Sequence, residues 1–448
     1  MTPGDTSARR AAILTLGCRL NQTESALIAD DLARHGYALV PWSAPAEVRV
    51  INSCGVTAEA VAKTRKALHA ARRRWPEAVL ALVGCAAEID PATWAAEDGA
   101  DLVVGNVVKN RLGEALPADG RRPDQPRLLT GHTPPRDSAP EAFEEAGAGL
   151  FHERTRAALK IQEGCDFHCS YCIVPTLRGA ARSRRWDDCL REAAALLERG
   201  HREIVLTGVN IATYRDRGRD LADLARAVLD LDPAFRLRLG STEPGPALPR
   251  VIELLAAEPR LCRFLHLPMQ YGDDAILKAM NRRYTLAEFE DLAWSAVRAA
   301  PGLGLGSDII VGFPGETERH FVACSEAVRR LPLTHLHVFT YSARQGTPAA
   351  TFPHQVPGTA AAERAAAMAR LGRAKAAAFA QAQIGQRLGV LTESRAADGR
   401  WQGWSENYIR VRIQDGDRLD ANRIVGVRID ALDPDGKALQ GHLDNATT

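Results

Sequence analysis

Three cysteines stand together in the stretch EGCDFHCSYCIVP: Cys165, Cys169 and Cys172, at a C-x3-C-x2-C spacing. Four clustered thiolates would complete a structural zinc or a fully ligated iron–sulfur cube. Three leave one metal position for something exogenous, the logic of a catalytic site, by analogy with the open position of catalytic zinc. The competing reading is a zinc knuckle with a fourth ligand from elsewhere, such as His168, although histidines beside metal motifs are often incidental. Three more cysteines each end an apolar run: Cys18 in LTLGCRLNQTES, Cys54 in INSCGVTAEA and Cys85 in LVGCAAE. A lone cysteine ordinarily behaves as a small buried hydrophobe. Three at equivalent strand ends of a parallel sheet would instead converge at its carboxyl edge. Cys189, Cys262 and Cys324 fall in helical or apolar contexts without ligand spacing and are read as structural.

The elements that must carry these residues follow from periodicity. With 448 residues and 46% hydrophobic content, the chain has material for two or three domains. Over residues 10–120, short β-like runs (AAILTLG, EVRVINS, AVLALVG, DLVVG) alternate with helical stretches, which predicts an α/β domain with a parallel sheet. Residues 121–150 are rich in Pro, Gly, Asp and Arg and read as a linker. Residues 151–383 carry six strand candidates, ALKIQEG, REIVLTGV, FRLRLGS, RFLHLPM, LGLGSDIIVG and THLHVFTYS. Six such repeats predict a partial (β/α)6 barrel resembling a TIM barrel, with chemistry at the carboxyl ends of its strands. From residue 384 to 445, YIRVRI and RIVGVRI alternate strictly between turns such as DGD and DPDG, which predicts a small antiparallel β-barrel. The overall fold class is α/β.

Lys+Arg at 57 against Asp+Glu at 55 gives a net charge of only +2, so any nucleic-acid contact must be local. The apolar run from Ala11 to Gly17 is short for a signal sequence and is followed at once by Arg19, so it reads as a first strand. No apolar stretch approaches the roughly 18–20 residues that span a bilayer. The expectation is a cytoplasmic protein without a membrane partner, and nine cysteines in such a chain argue for metal or redox chemistry over disulfides.

A C-x3-C-x2-C run after the first strand of a partial barrel resembles the radical S-adenosylmethionine superfamily. There the open iron binds the amino and carboxylate groups of S-adenosylmethionine, and reduction cleaves that cofactor to a 5′-deoxyadenosyl radical. Cys18, Cys54 and Cys85 resemble the ligands of an auxiliary cluster in its methylthiotransferase branch. GCRLNQTES, SCGVT, GCAAE, KIQEGCDFHCSYCIVP, RGAARSR, LTGVN, HLPMQ and DIIVGFPGETE all occur in that family's order, across nearly the whole chain. The resemblance implies two [4Fe-4S] clusters, S-adenosylmethionine as methyl donor and radical source, and a C-terminal barrel similar to the RNA-binding TRAM module. It also implies a tRNA anticodon loop as partner, an electron donor such as flavodoxin or ferredoxin, and a sulfur source. IQEGC and LTGVN resemble the subgroup that modifies C2 of N6-threonylcarbamoyladenosine at position 37. Isopentenyladenosine in tRNA and a ribosomal-protein aspartate are the alternative substrates, and a zinc-stabilised RNA-binding protein without catalysis is the alternative class.

Beyond the six cysteines the resemblance implies no catalytic side chain. Tyr171 matches the aromatic position near the cofactor adenine in that superfamily. Gly208, Asn210, Glu243, Gln270 and Gly312 lie at expected strand ends and are candidate cofactor contacts, with turn chemistry or a helix cap as the competing reading. The family usually has Ser-Gly after the Gln of HLPMQ, whereas this chain has Tyr271-Gly272. For RNA, RGAARSRR at residues 178–185 is the better phosphate candidate, and KTRKALHAARRR at 63–74 reads as a solvated helix face. The C-terminal segment from Ile384 holds nine basic and ten acidic residues, so RNA contact there would need a local face such as Tyr408, Arg410 and Arg412.

Overall fold

Near-continuous apolar runs such as VRVINS and VLALVG suit strands buried on both faces, as in a parallel sheet covered by helices. Val48–Ser53 and Val79–Gly84 are indeed buried at every position. The computed structural model describes residues 9–96, 99–117, 119–130, 142–145, 155–415, 419–433, 436 and 438–444. Its N-terminal sheet is fully parallel, in the order Tyr37–Leu39, Arg9–Thr15, Val48–Ser53, Val79–Gly84, Leu102–Val104, Arg127–Leu129. The chain order reverses beside Arg9–Thr15, and such a switch point is where open α/β sheets place their ligands, beyond the carboxyl ends of the strands. The edge strands Tyr37–Leu39 and Arg127–Leu129 have three residues each, too few for a period to show in the sequence. The second of them falls inside the stretch read as a linker. Residues 131–141 and 146–150 of that stretch, and 151–154 after it, lie outside the described residues.

The six expected strands of the central domain form as Arg156–Lys160, Glu203–Thr207, Arg236–Leu239, Phe264–His266, Gly304–Val311 and His335–Thr340. They make two parallel three-stranded halves, joined by bridges at Leu237 to Leu261 and Ser241 to His266. Alternation assigns the faces. Ile204, Leu206, Leu237, Leu239, Leu305 and Ile309 join the core under the helices, so Arg236, Arg238, Gly306 and Asp308 face the lumen. One thing differs in the C-terminal barrel. Its five strands close in the order Arg387–Arg395, Trp401–Ser405, Arg410–Ile413, Leu439–Leu443, Ile424–Leu432, and the pair Arg410–Ile413 with Leu439–Leu443 is parallel rather than antiparallel.

The barrels are joined by charge. Glu203 is fully buried and pairs with Arg236 at 2.6 Å and Arg238 at 2.7 Å. The same guanidiniums donate to the C-terminal barrel: Arg236 to the carbonyls of Gly389 and Trp404, Arg238 to those of Ser405 and Glu406. Tyr408 stacks on Trp404 with centroids 4.7 Å apart, lies 4.6 Å from the Phe264 ring and accepts a hydrogen bond from Arg19 at 3.0 Å. It therefore belongs to the junction of three domains, and the local RNA face expected around it loses its aromatic member. Arg412 is paired with Asp433 at 2.6 Å. No helix among the described residues is long and apolar enough to cross a membrane.

Candidate active site

Cys18, Cys54 and Cys85 follow three adjacent strands, and the loops that carry them interlock. Gly17 turns with φ +113°, and a Cβ there would sit 2.6 Å from Cys54 Cβ; one on Gly55 would sit 2.7 Å from the Cys85 carbonyl oxygen. A lattice of buried amides fixes the loops from below. Asn21 donates to the Ser53 carbonyl at 2.8 Å, Asn52 donates to the Asn21 carbonyl at 2.8 Å, and Ser53 Oγ donates to the Val83 carbonyl at 2.6 Å. Burial pushes the Cys54 thiol up to about 11 and raises Cys18 as well, and each feels Cys85 as a neighbouring like charge. A buried thiol of that kind keeps its proton until a metal displaces it.

The second triad is set by a different loop. Gly164 has φ +70°, and a Cβ there would fall 1.9 Å from the Ala180 carbonyl oxygen, so only glycine lets the chain turn into Cys165. The Cys165 N–H then donates to the Gly179 carbonyl at 3.0 Å, and the Cys172 N–H to that of Cys169 at 3.0 Å. Burial pushes Cys165 to about 11 and Cys172 to about 12, and each feels Cys169 as a neighbouring like charge. Arg282 donates to Cys169 Sγ at 3.2 Å, reaches the Tyr171 hydroxyl at 3.5 Å and pairs with Glu243. Tyr171 and Glu243, both singled out from the sequence, thus meet at this triad. Exposed His168 offers its backbone carbonyl to Asn281 at 2.7 Å.

The other candidates divide. Asn210 is buried, its N–H donates to Gln162 Oε1 at 2.7 Å, and its side-chain Oδ1 and Nδ2 have no hydrogen-bond partner among the described residues. Unpaired buried amide atoms are costly, so this residue suits a polar ligand. Gly208 packs on Gln162, where a Cβ would come within 2.8 Å of the carbonyl oxygen. Gln270, at φ +67°, is tied by its backbone to Asp308 and Ile310, and Gly312 at φ +76° gives its N–H to the Glu316 carboxylate; both positions hold turns. Tyr271 is fully buried in the core, so this departure from the family pattern points its ring away from the lumen.

What periodicity does not reveal is the network between the triads. Arg178, from RGAARSRR, donates through Nε to Cys85 Sγ at 3.2 Å and pairs with Glu24 and Glu163 at 2.8 Å each. Lys109 meets Glu24 at 2.7 Å, and Lys160 meets Glu163 at 2.6 Å and Glu145 at 2.9 Å. Burial alone would raise Glu24, but Arg178, Lys109 and Lys160 hold it at about 2. The phosphate expectation for RGAARSRR is corrected accordingly. Arg178 and Arg184 are buried in ion pairs, Arg184 with Asp188 and Glu192, and Arg182 is half-buried over the Phe143 ring, which leaves Arg185 as the exposed arginine of the stretch. Arg178 and Arg282, each donating to a cysteine sulfur, are the residues of the candidate site that motif spacing missed. Their sulfur partners lie far along the chain, and the only signal was their place in RGAARSR and MNRRYT.

Residues 159–327 match the family described as the Radical SAM superfamily, and residues 10–105 match the one described as Uncharacterized protein family UPF0004. The threonylcarbamoyladenosine tRNA methylthiotransferase MtaB of Bacillus subtilis is 34% identical over 428 residues, 93% of each chain. A tRNA-2-methylthio-N(6)-dimethylallyladenosine synthase of Cereibacter sphaeroides is 34% identical over 442 residues, covering 96% of this chain and 98% of its own. Among solved structures, the radical S-adenosylmethionine methyltransferase TsrM of Kitasatospora setae shares the fold, with TM-score 0.56, 17% identity and 77% of each chain covered. With such identity to tRNA methylthiotransferases over nearly its full length, and a radical S-adenosylmethionine domain at its centre, the chain belongs to the radical S-adenosylmethionine tRNA methylthiotransferase family.

Proposed function

We propose that this enzyme adds a methylthio group to C2 of N6-threonylcarbamoyladenosine at position 37 of tRNA. Cys18, Cys54 and Cys85 hold one [4Fe-4S] cluster; Cys165, Cys169 and Cys172 hold a second whose fourth iron is open to S-adenosylmethionine. The observation that carries this reading is the pairing of two triads of thiols at the facing ends of two α/β domains, each with an arginine N–H aimed at one sulfur. The residues suit the clusters: Cys54, Cys85 and Cys169 are buried, Cys165 and Cys172 half-buried and Cys18 exposed, and Arg178 and Arg282, which donate to Cys85 and Cys169, offset the charge the thiols acquire on ligation.

An unactivated adenine C–H lies beyond acid/base side chains, so the clusters must supply one-electron cleavage of S-adenosylmethionine and a sulfur site for methyl transfer. The chain's own residues position and shield. Asn210 offers a donor and an acceptor to the amino-acid part of the cofactor, and Tyr171 places an aromatic face beside the second triad. Glu243 and Arg282 neutralise one another next to Cys169. A looped-out base is cheaper to extrude than a paired one, which suits an anticodon loop. An electron donor of the flavodoxin or ferredoxin kind and a sulfur source complete the reaction.

Relatives named for the threonylcarbamoyl substrate come from Bacillus, Aquifex and Thermotoga, and IQEGC and LTGVN favour the same choice. The test is nucleoside mass spectrometry of tRNA from a strain lacking the gene, with and without complementation. The 2-methylthio form of threonylcarbamoyladenosine should disappear and return with the wild type but not with Cys54→Ser or Cys172→Ser. A change confined to the prenylated nucleoside would assign the alternative substrate.

A further inference from the structure

The lumen of the central barrel carries a second group of donors, separate from the six cysteines. His266 ends the strand Phe264–His266, Asp308 lies within Gly304–Val311, and His337 within His335–Thr340. The parallel register sets His266 opposite Gly306 and Asp308 opposite His337, so the three side chains stand on one face of adjacent strands. His266 Nε2 and His337 Nδ1 each lie 3.2 Å from the same oxygen, Asp308 Oδ1. One donor atom from each residue falls within 4.8 Å of the other two. His266 and Asp308 come from HLPMQ and DIIVGFPGETE; both act as charges on Glu243, the partner of Arg282 beside Cys169, but neither is a ligand in the two-cluster reading.

Hydrogen bonding does not account for the whole group. His337 Nδ1 is bonded to Asp308. Nε2 of His266, by contrast, is buried and has no well-aligned hydrogen-bond partner among the described residues. Burial would raise the pKa of the carboxylate 3.2 Å away and the two imidazoles beside it lower it, but the His266 ring is not aimed at that oxygen. The other nitrogen, Nδ1, is bonded to Ser241 Oγ at 3.1 Å, the kind of outer contact that orients a metal-ligating imidazole. Edges of 3.2 Å are close to the separation of about 3.3 Å between tetrahedral ligands with bonds near 2.0–2.1 Å. Access is open from one side: His266 is 12% exposed, Asp308 23% and His337 59%.

We propose that His266, Asp308 and His337 bind one divalent transition-metal ion of the zinc type, with a fourth position open to the lumen for an oxygen donor. Two imidazoles and one carboxylate suit zinc and its first-row neighbours over calcium or magnesium. The site shares no residue with the cysteine triads, so it stands or falls independently of the tRNA substrate. The anaerobically reconstituted holoenzyme, its thiols occupied by iron, is titrated with cobalt(II) and read by visible d–d absorption and by elemental analysis. One cobalt per chain, displaced by zinc, is expected. Its affinity should fall at least about tenfold in His337→Ala and in Asp308→Asn, with iron content and cluster absorption unchanged to show that each variant has folded. Exposed His337 is the safer variant should Asp308→Asn disturb the barrel. Absence of cobalt binding in the wild type, or binding that His337→Ala leaves intact, would overturn the site.

Discussion

Replacing Arg178 by methionine removes the one guanidinium that touches Cys85, Glu24 and Glu163 together. It leaves Glu24 and Glu163 with only Lys109 and Lys160 as counter-charges inside the protein, where breaking a buried ion pair from one side costs up to about 3–5 kcal/mol. Arg178→Met should therefore lower the urea midpoint of the iron-free protein substantially. Arg178→Lys, which keeps the charge but not the fork that reaches both sulfur and carboxylate, should lose less. Equal midpoints for Arg178→Met and the wild type would show that the network does not hold the two domains together. The same residue marks what a sequence can and cannot say. Cysteines that end apolar runs announce their convergence, because a parallel sheet sends equivalent strand ends to one edge. An arginine announces nothing of a partner at Cys85, 93 residues upstream, because charge pairing across a domain interface has no period.

At the scale of elements, the loop from Gly164 to Gly179 depends on one backbone conformation. Gly164→Ala would place a methyl 1.9 Å from the Ala180 carbonyl oxygen at φ +70°. The left-handed region alone costs about 1–2 kcal/mol for an L residue, and the opposing atom is backbone that cannot rotate away. The expected outcome is selective loss of iron at Cys165, Cys169 and Cys172. Reconstituted iron should fall from about eight to about four per chain, with the N-terminal triad still filled; retention of both fourfold sets would refute the role of the turn. Six central strands and four of the six N-terminal ones were legible as apolar runs, since length and alternation both mark them. Tyr37–Leu39 and Arg127–Leu129 were not, because three residues at a sheet edge bury too little to leave a pattern. The parallel closure of the C-terminal barrel was equally silent, since alternation marks faces and not strand direction.

At the scale of the whole molecule, the C-terminal barrel hangs on a buried charge in another domain. Glu203 would be raised by burial alone, but Arg238 and Arg236 hold it at about 2 in the folded protein, against an ordinary value of 4.5. As pH falls, the unfolded chain takes up the proton first, so the stability from this carboxylate is complete above about 4.5 and drains away as pH drops through about 2. Glu24, also held at about 2, adds a second contribution over the same window at the other interface. Acid should thus loosen both joins together. Protonating Glu203 frees Arg236 and Arg238 from the carboxylate that orients them toward the carbonyls of Gly389, Trp404, Ser405 and Glu406. Limited pepsin digestion near pH 2, where Glu203 takes up its proton, should therefore release a C-terminal fragment from residue 384 onward before the central domain is cut. Glu203→Gln should show that cleavage already at neutral pH, because two buried guanidiniums then lack a counter-charge. Resistance of Glu203→Gln to cleavage at pH 7 would mean that apolar contacts, Tyr408 against Phe264 among them, hold the barrel without the ion pairs.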